Sequence, residues 1–203
     1  MSFELRGPTL SLRIPTEDDA EALLGLASDP EVTRWFSWGP YTDVAQPRRF
    51  LVGLEDERLR GEKLDLLAVH HERGPAGITG LYEFSVRDRR CVCGTWFGRE
   101  FWGTGANRES KALLQHLAFA ELGMHRFGSY SNPLNERSTR ALIGVGLRHE
   151  GVLRGYHRHG DHHLDVNIFG LLRAEWESSA LRAEFAGAIS VVGSPPPTFV
   201  ADP

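Results

Sequence analysis

The chain has 203 residues, 41% apolar and 10% aromatic, which matches an ordinary soluble globular protein able to close one sizeable core. Lysine and arginine number 23 against 27 aspartates and glutamates, and the formal charge of -4 leaves no global basic field to recruit nucleic acid or an anionic membrane. The start, Met1-Ser2-Phe3-Glu4, has no leader pattern and nowhere do about 18 apolar residues run together, so a cytoplasmic location without a membrane partner is expected.

Residues 9–14 alternate apolar with polar and predict a first strand. A helix follows, with Thr16 as N-cap, Asp19 three residues on and Leu23, Leu24 and Ala27 on one stripe; Asp29-Pro30 ends it. Residues 31–41 then carry Trp35, Phe36, Trp38 and Tyr41 in a segment broken by Gly39-Pro40, a heavy aromatic load for a loop. Residues 47–60 read as helical. Three extended runs come next, at 64–69, 76–86 and 91–97, and the short polar turns between them predict an antiparallel meander. Cys91 and Cys93 are the only cysteines. One residue apart on a strand, they share a face and argue against a disulfide framework.

From Gly105 to Leu122 the period becomes helical, and Gly123 stops it. A strand is expected over 126–131, a helix over 135–145, strands over 147–154 and 164–171, and one terminal helix over 174–185. Residues 1–187 therefore read as a single domain. Residues 188–203, with Ser194-Pro195-Pro196-Pro197, hold too little to bury and are expected to form a flexible tail.

Between the strand at 91–97 and the long helix lies Gly98-Arg99-Glu100-Phe101-Trp102-Gly103-Thr104-Gly105-Ala106-Asn107. Glycines let successive N–H groups point at one spot and a helix N-terminus adds partial positive charge, so this unit can hold a diphosphate without a basic patch. A dinucleotide fingerprint would need a third glycine where Arg108 stands, and a P-loop would need Lys then Ser or Thr after its last glycine. Neither is met. By itself the turn could equally be an ordinary helix start. A second constellation, Asn135-x-x-Ser138-x-Arg140-Ala141 followed by Gly146-Leu147-Arg148-His149-Glu150-Gly151, narrows the reading.

Arg99 to Ala106 resembles the Arg/Gln-x-x-Gly-x-Gly/Ala pyrophosphate loop of GNAT acetyltransferases, and the second constellation is similar to that superfamily's other acetyl-CoA motif. The pattern is that of the Rim-type branch, which includes ribosomal-protein N-terminal acetyltransferases. Two departures stand: Leu147 where an aromatic is usual, and Gly144 inside the second helix, which weakens it by up to about 1 kcal/mol.

The resemblance implies an α+β, three-layer fold with a mixed, mostly antiparallel sheet of about seven strands flanked by helices. The sheet would splay between the fourth and fifth strands, 91–97 and 126–131. It further implies acetyl-CoA as cosubstrate, held by Phe97, Arg99, Trp102, Gly103, Thr104, Gly105, Ala106, Asn107, Asn135 and Ser138. Direct transfer to a primary amine, a protein α-amine or a small molecule, is the implied reaction. A non-catalytic CoA-binding or interaction module is the alternative. A homodimer is plausible by the same resemblance.

Ser138, one turn after Asn135 on the same helix face, is the implied general acid; it can also be read as a first-turn hydroxyl without a catalytic task, and Asn135 as an N-cap. For the base, alignment points to His157, since an imidazole's ordinary pKa of about 6.5 suits proton acceptance at neutral pH. Glu83 and Asp165 compete, and each of the three can be read as a solvated or structurally paired side chain. Trp35, Trp38, Tyr41, Tyr82 and His157 are placed along the acceptor cleft, although the aromatics fit a core equally. His157, His159, His162 and His163 with Asp161 and Asp165 are the one cluster with metal-ligating chemistry. Their setting around Gly160 reads as a hairpin tip, and no metal is expected. Nor do Cys91 and Cys93 need a nucleophilic role.

Overall fold

The computed structural model describes residues 3–200. Its frame is one nine-stranded sheet: β1 (Glu4–Arg6), β2 (Leu10–Arg13), β3 (Lys63–His70), β4 (Gly74–Ser85), β5 (Arg90–Phe97), β6 (Arg126–Ser131), β7 (Arg148–His159), β8 (His162–Leu172) and β9 (Ser190–Val192). The spatial order is β7-β8-β6-β5-β4-β3-β2-β1-β9. Strands β3 to β5 form the antiparallel meander that the short polar turns predict, β2 adds to it antiparallel beside β3, and among the described residues β5 with β6 is the one parallel pair. A parallel neighbour requires a crossover, which is the long helix between them.

The helices are α1 (Ala20–Ala27), α2 (Pro30–Thr33), α3 (Ala45–Leu59), α4 (Ala106–His116), α5 (Glu136–Gly144), α6 (Arg173–Glu177) and α7 (Ala180–Glu184). Thr16 and Asp19 form the expected capping box, Thr16 N–H donating to Asp19 Oδ2 at 2.8 Å. The same carboxylate accepts two hydrogen bonds from Arg13, tying α1 to β2. Helix α4 is pinned likewise: the buried Glu109 carboxylate accepts from the backbone N–H of Thr9 and of Leu10, both at 2.8 Å. Its apolar face, with Leu113 and Leu114 fully buried and Leu117 just past its end, joins the core beneath the sheet. At about 1.5–3 kcal/mol for each fully buried leucine, this stripe supplies much of what holds the crossover in place.

Three expectations need correction. The sheet has nine strands rather than about seven, because three-residue β1 and β9 are too short to show an alternating pattern. The terminal helix is two short ones, since the Ser179 hydroxyl accepts from the N–H of Arg182 and starts a new helix where the pattern ran on. The tail is not loose: β9 pairs with β1, and Phe199, fully buried, lies 4.5 Å from Phe84 between ring centroids. Residues 1, 2 and 201–203, which include the end of that tail, lie outside the described residues.

Candidate active site

The site begins where a ladder stops. Strands β5 and β6 pair from Arg90↔Arg126 to Cys93↔Ser129, and Ser129 Oγ donates to Cys93 O at 3.0 Å. Beyond that pair, Gly94–Phe97 and Tyr130–Ser131 have no mutual register, so the sheet opens. The expected splay is present. Two clefts meet in the opening, one of about 410 Å³ on the helix side and one of about 670 Å³ on the other face. Gly94, Thr95, Trp96 and Tyr130 line both and form the throat. A side chain at 94 would collide with a wall of the larger cleft, because a Cβ there would come 2.5 Å from the Tyr82 ring.

The helix-side cleft is walled by α4 and α5. Gly103 and Gly105 adopt φ +75° and +93°, with open space around both, so glycine is required here by backbone conformation and not by crowding. Thr104 turns its hydroxyl back to Phe101 O at 2.8 Å, leaving the turn's outer face clear. Asn135 caps α5, its Oδ1 accepting from Ser138 N–H at 3.1 Å, and this fixes Ser138 in the first turn. The Ser138 side chain is half-buried and lines this cleft with Asn135, Phe97, Trp102, Gly103, Gly105 and Asn107. Ala106, buried under the turn, and Thr104 do not line it. Arg99 lies outside as well, its exposed guanidinium turned to Asp29 at 3.4 Å.

Two cations that the sequence reading passed over line the cleft instead. Arg137 stacks its guanidinium over Trp102, 3.5 Å from the ring centroid, with burial lowering its pKa. Lys111, buried on α4, lines the same cleft and donates to Thr95 Oγ1. Arg137 sat in plain view between Glu136 and Ser138 in the second constellation. Lys111 was hidden, because a lysine on a helix is read as solvated by default.

On the other face the aromatic loop forms a wall rather than core. Trp38 lies 5.3 Å from Phe36, 5.2 Å from Tyr41 and 5.5 Å from Trp96 between ring centroids, and all are only partly buried. At the far end Lys63 Nζ sits 2.8 Å from Asp65 Oδ2 and 5.4 Å from the Tyr82 ring centroid. Burial raises the Asp65 pKa against the opposing pull of Lys63.

Glu83 and His157 come together around Tyr130. A register shift in β4 between Tyr82 and Ser85 puts Glu83 at φ +50°, and its carboxylate accepts from the Tyr130 phenol at 2.9 Å. The Tyr130 ring lies 6.1 Å from His157 and 5.4 Å from Tyr156. Burial, then the bonds to Tyr156 and Glu83, push the Tyr130 pKa far up, so the phenol keeps its proton and can donate or relay but not act as the final base. Asp165 lines the same cleft, its Oδ1 accepting from Gly155 N–H at 2.8 Å. His159, His162 and His163 sit at the tip of the β7–β8 hairpin, and among the described residues no three of His, Cys, Asp or Glu converge as metal ligands. Cys91 and Cys93 are buried free thiols, and burial raises the Cys91 pKa further from reactivity. No helix among the described residues is long and apolar enough to cross a membrane.

Comparison with known proteins adds to this geometry. Residues 9–148 match the family described as the acetyltransferase (GNAT) domain. The chain is 30% identical over 168 residues to the uncharacterized N-acetyltransferase p20 of Bacillus licheniformis, covering 82% of this chain and 94% of that protein. It is 28% identical over 167 residues to the uncharacterized N-acetyltransferase YoaA of Bacillus subtilis, covering 81% and 93%. Its fold is similar to that of Mycobacterium smegmatis RimJ in complex with CoA-disulfide, with a TM-score of 0.80 at 21% identity over 94% of this chain and 96% of the other.

Proposed function

The chain belongs to the acetyltransferase (GNAT) domain family, and on that premise we propose that it transfers an acetyl group from acetyl-CoA directly to a primary amine, either a protein α-amine or a small molecule. The observation that carries this reading is the throat: two clefts of different chemistry meet at one break in the sheet. One offers anion-binding groups and the other a proton acceptor.

The residues present fit this cosubstrate. The left-handed turn at Gly103 and Gly105 leaves open space before the N-terminus of α4, and the Arg137 cation stands beside it on Trp102. Acetyl-CoA, when bound, supplies an acyl group already activated as a thioester. The turn's N–H groups and Arg137 hold the diphosphate, and the β5 backbone at the opening supplies donors for the acyl oxygen. Ser138 donates a hydrogen bond toward the sulfur. On the far face Glu83 accepts the amine's proton, with Tyr130 holding its carboxylate in place and His157 alongside. The aromatic wall excludes water and packs the rest of the acceptor.

The test follows free thiol while purified protein is incubated with acetyl-CoA and a panel of amines. Thiol release that depends on the amine is expected. CoA binding with no release from any amine would favour a non-catalytic binding module.

A further inference from the structure

Lys111 is 3% exposed, and among the described residues no carboxylate lies within ion-pairing distance of its ammonium. An ammonium has three N–H donors; one is directed at the Cys93 thiol and another goes to Thr95 Oγ1. That oxygen is already committed, lying 2.7 Å from Gly94 O and 2.5 Å from Thr79 Oγ1. The titratable group facing the lysine from the sheet is the Cys93 thiol. Burial lowers the Lys111 pKa. A cation kept in such a place without a counter-ion is costly, unless a bound molecule brings negative charge to it.

Its position says which charge. Lys111 lines only the helix-side cleft, whereas Thr95 lines both, so the ammonium stands under the throat on the donor side. Ser138 lines that same cleft from α5. A serine hydroxyl is a far weaker acid than a thiol, so it can donate a hydrogen bond to a departing sulfur but cannot supply it with a net proton.

We infer that Lys111 is the cation that meets the departing CoA thiolate at the throat. This rests on the acetyl-transfer reading. As the amine nitrogen bonds to the acyl carbon, the carbon–sulfur bond breaks and its electron pair passes to sulfur. The surplus amine proton goes to Glu83 and on to solvent. An N–H of Lys111 stabilises the thiolate and passes its proton to it, and the neutral lysine is recharged from solvent.

The experiment needs no acceptor. The ultraviolet absorbance of the thiolate gives the pKa of the CoA thiol bound to the full chain, for wild type, Lys111→Met and Lys111→Arg. Calorimetry gives the affinities of CoA and desulfo-CoA for each. Wild type should hold the bound thiol about one to three pKa units below that of free CoA. Lys111→Arg should keep part of that shift and Lys111→Met should abolish it, with desulfo-CoA affinity unchanged. A bound thiol that titrates like free CoA in wild type overturns the role of Lys111, as does a desulfo-CoA affinity that falls with that of CoA in Lys111→Met. Wild type that binds neither compound overturns the acetyl-transfer reading itself.

Discussion

The phenol of Tyr130 donates to the Glu83 carboxylate at 2.9 Å, joining the splayed strand β6 to a bulge in β4. Both strands are thereby fixed around the throat, and the proposed proton acceptor is aimed by a phenol that keeps its own proton. Glu83→Gln is expected to lower kcat by about 10²–10⁴ while leaving the KM for acetyl-CoA near its original value. Steady-state kinetics with the best amine of the panel decides it; a larger loss in His157→Gln would transfer the role to the histidine.

Gly105 holds φ +93° at the N-cap of α4, so Gly105→Ala costs about 1–2 kcal/mol of backbone strain at the turn proposed to hold the diphosphate. CoA affinity measured by calorimetry should fall while the melting temperature drops by a few degrees. An unchanged affinity would place the diphosphate elsewhere.

Arg137 is the cation the turn itself lacks. Arg137→Ala is expected to weaken CoA about tenfold, or roughly 1.4 kcal/mol. Because the guanidinium stacks on Trp102, lysine should restore only part of that loss. Arg99→Ala, which breaks a contact with Asp29, should leave CoA affinity nearly intact.

Asp19 is buried, which opposes its ionisation, but hydrogen bonds from Arg13 and Thr16 win and hold its pKa below the usual aspartate value. An unfolded aspartate titrates near 3.9, so between that value and the lower folded one the unfolded chain binds the extra proton. The stability from this pair is complete above the unfolded pKa and is lost as pH falls through the folded one. In urea unfolding across a pH series, the advantage of wild type over Asp19→Asn should shrink as the solution is acidified below about pH 5.

Phe199 is fully buried against Phe84, far outside the segment that alternation assigned to the domain. Phe199→Ala is expected to cost about 3–5 kcal/mol in equilibrium unfolding. Loss of stability without loss of CoA affinity would show that this segment closes the core and takes no part in the site.

The turn and the helix cap proposed to hold the donor were legible because their chemistry is local. A turn that needs left-handed residues must show glycine, and a helix that needs a cap shows Asn135 three residues before Ser138, whatever the rest of the chain does. The long helix, the meander and the capping box at Thr16 were visible for the same reason, since each is written in neighbours or in a repeat of fixed period.

Long-range pairing left no such mark. β1 and β9 lie more than 180 residues apart, and three residues carry no period. Glu83 and Tyr130 are 47 positions apart and meet only because β4, β5 and β6 stand side by side. Lys111 reads as a solvated helix residue until the sheet is laid over it. The sequence alone therefore determined the turn at Gly103 and Gly105, because glycine's freedom is a property of a single residue, and the family likeness that this turn and the Asn135–Ser138 constellation carry together. Which cation stands beneath the throat, and which acid and phenol face it from the other side, was decided by strand order and the break in the β5–β6 ladder.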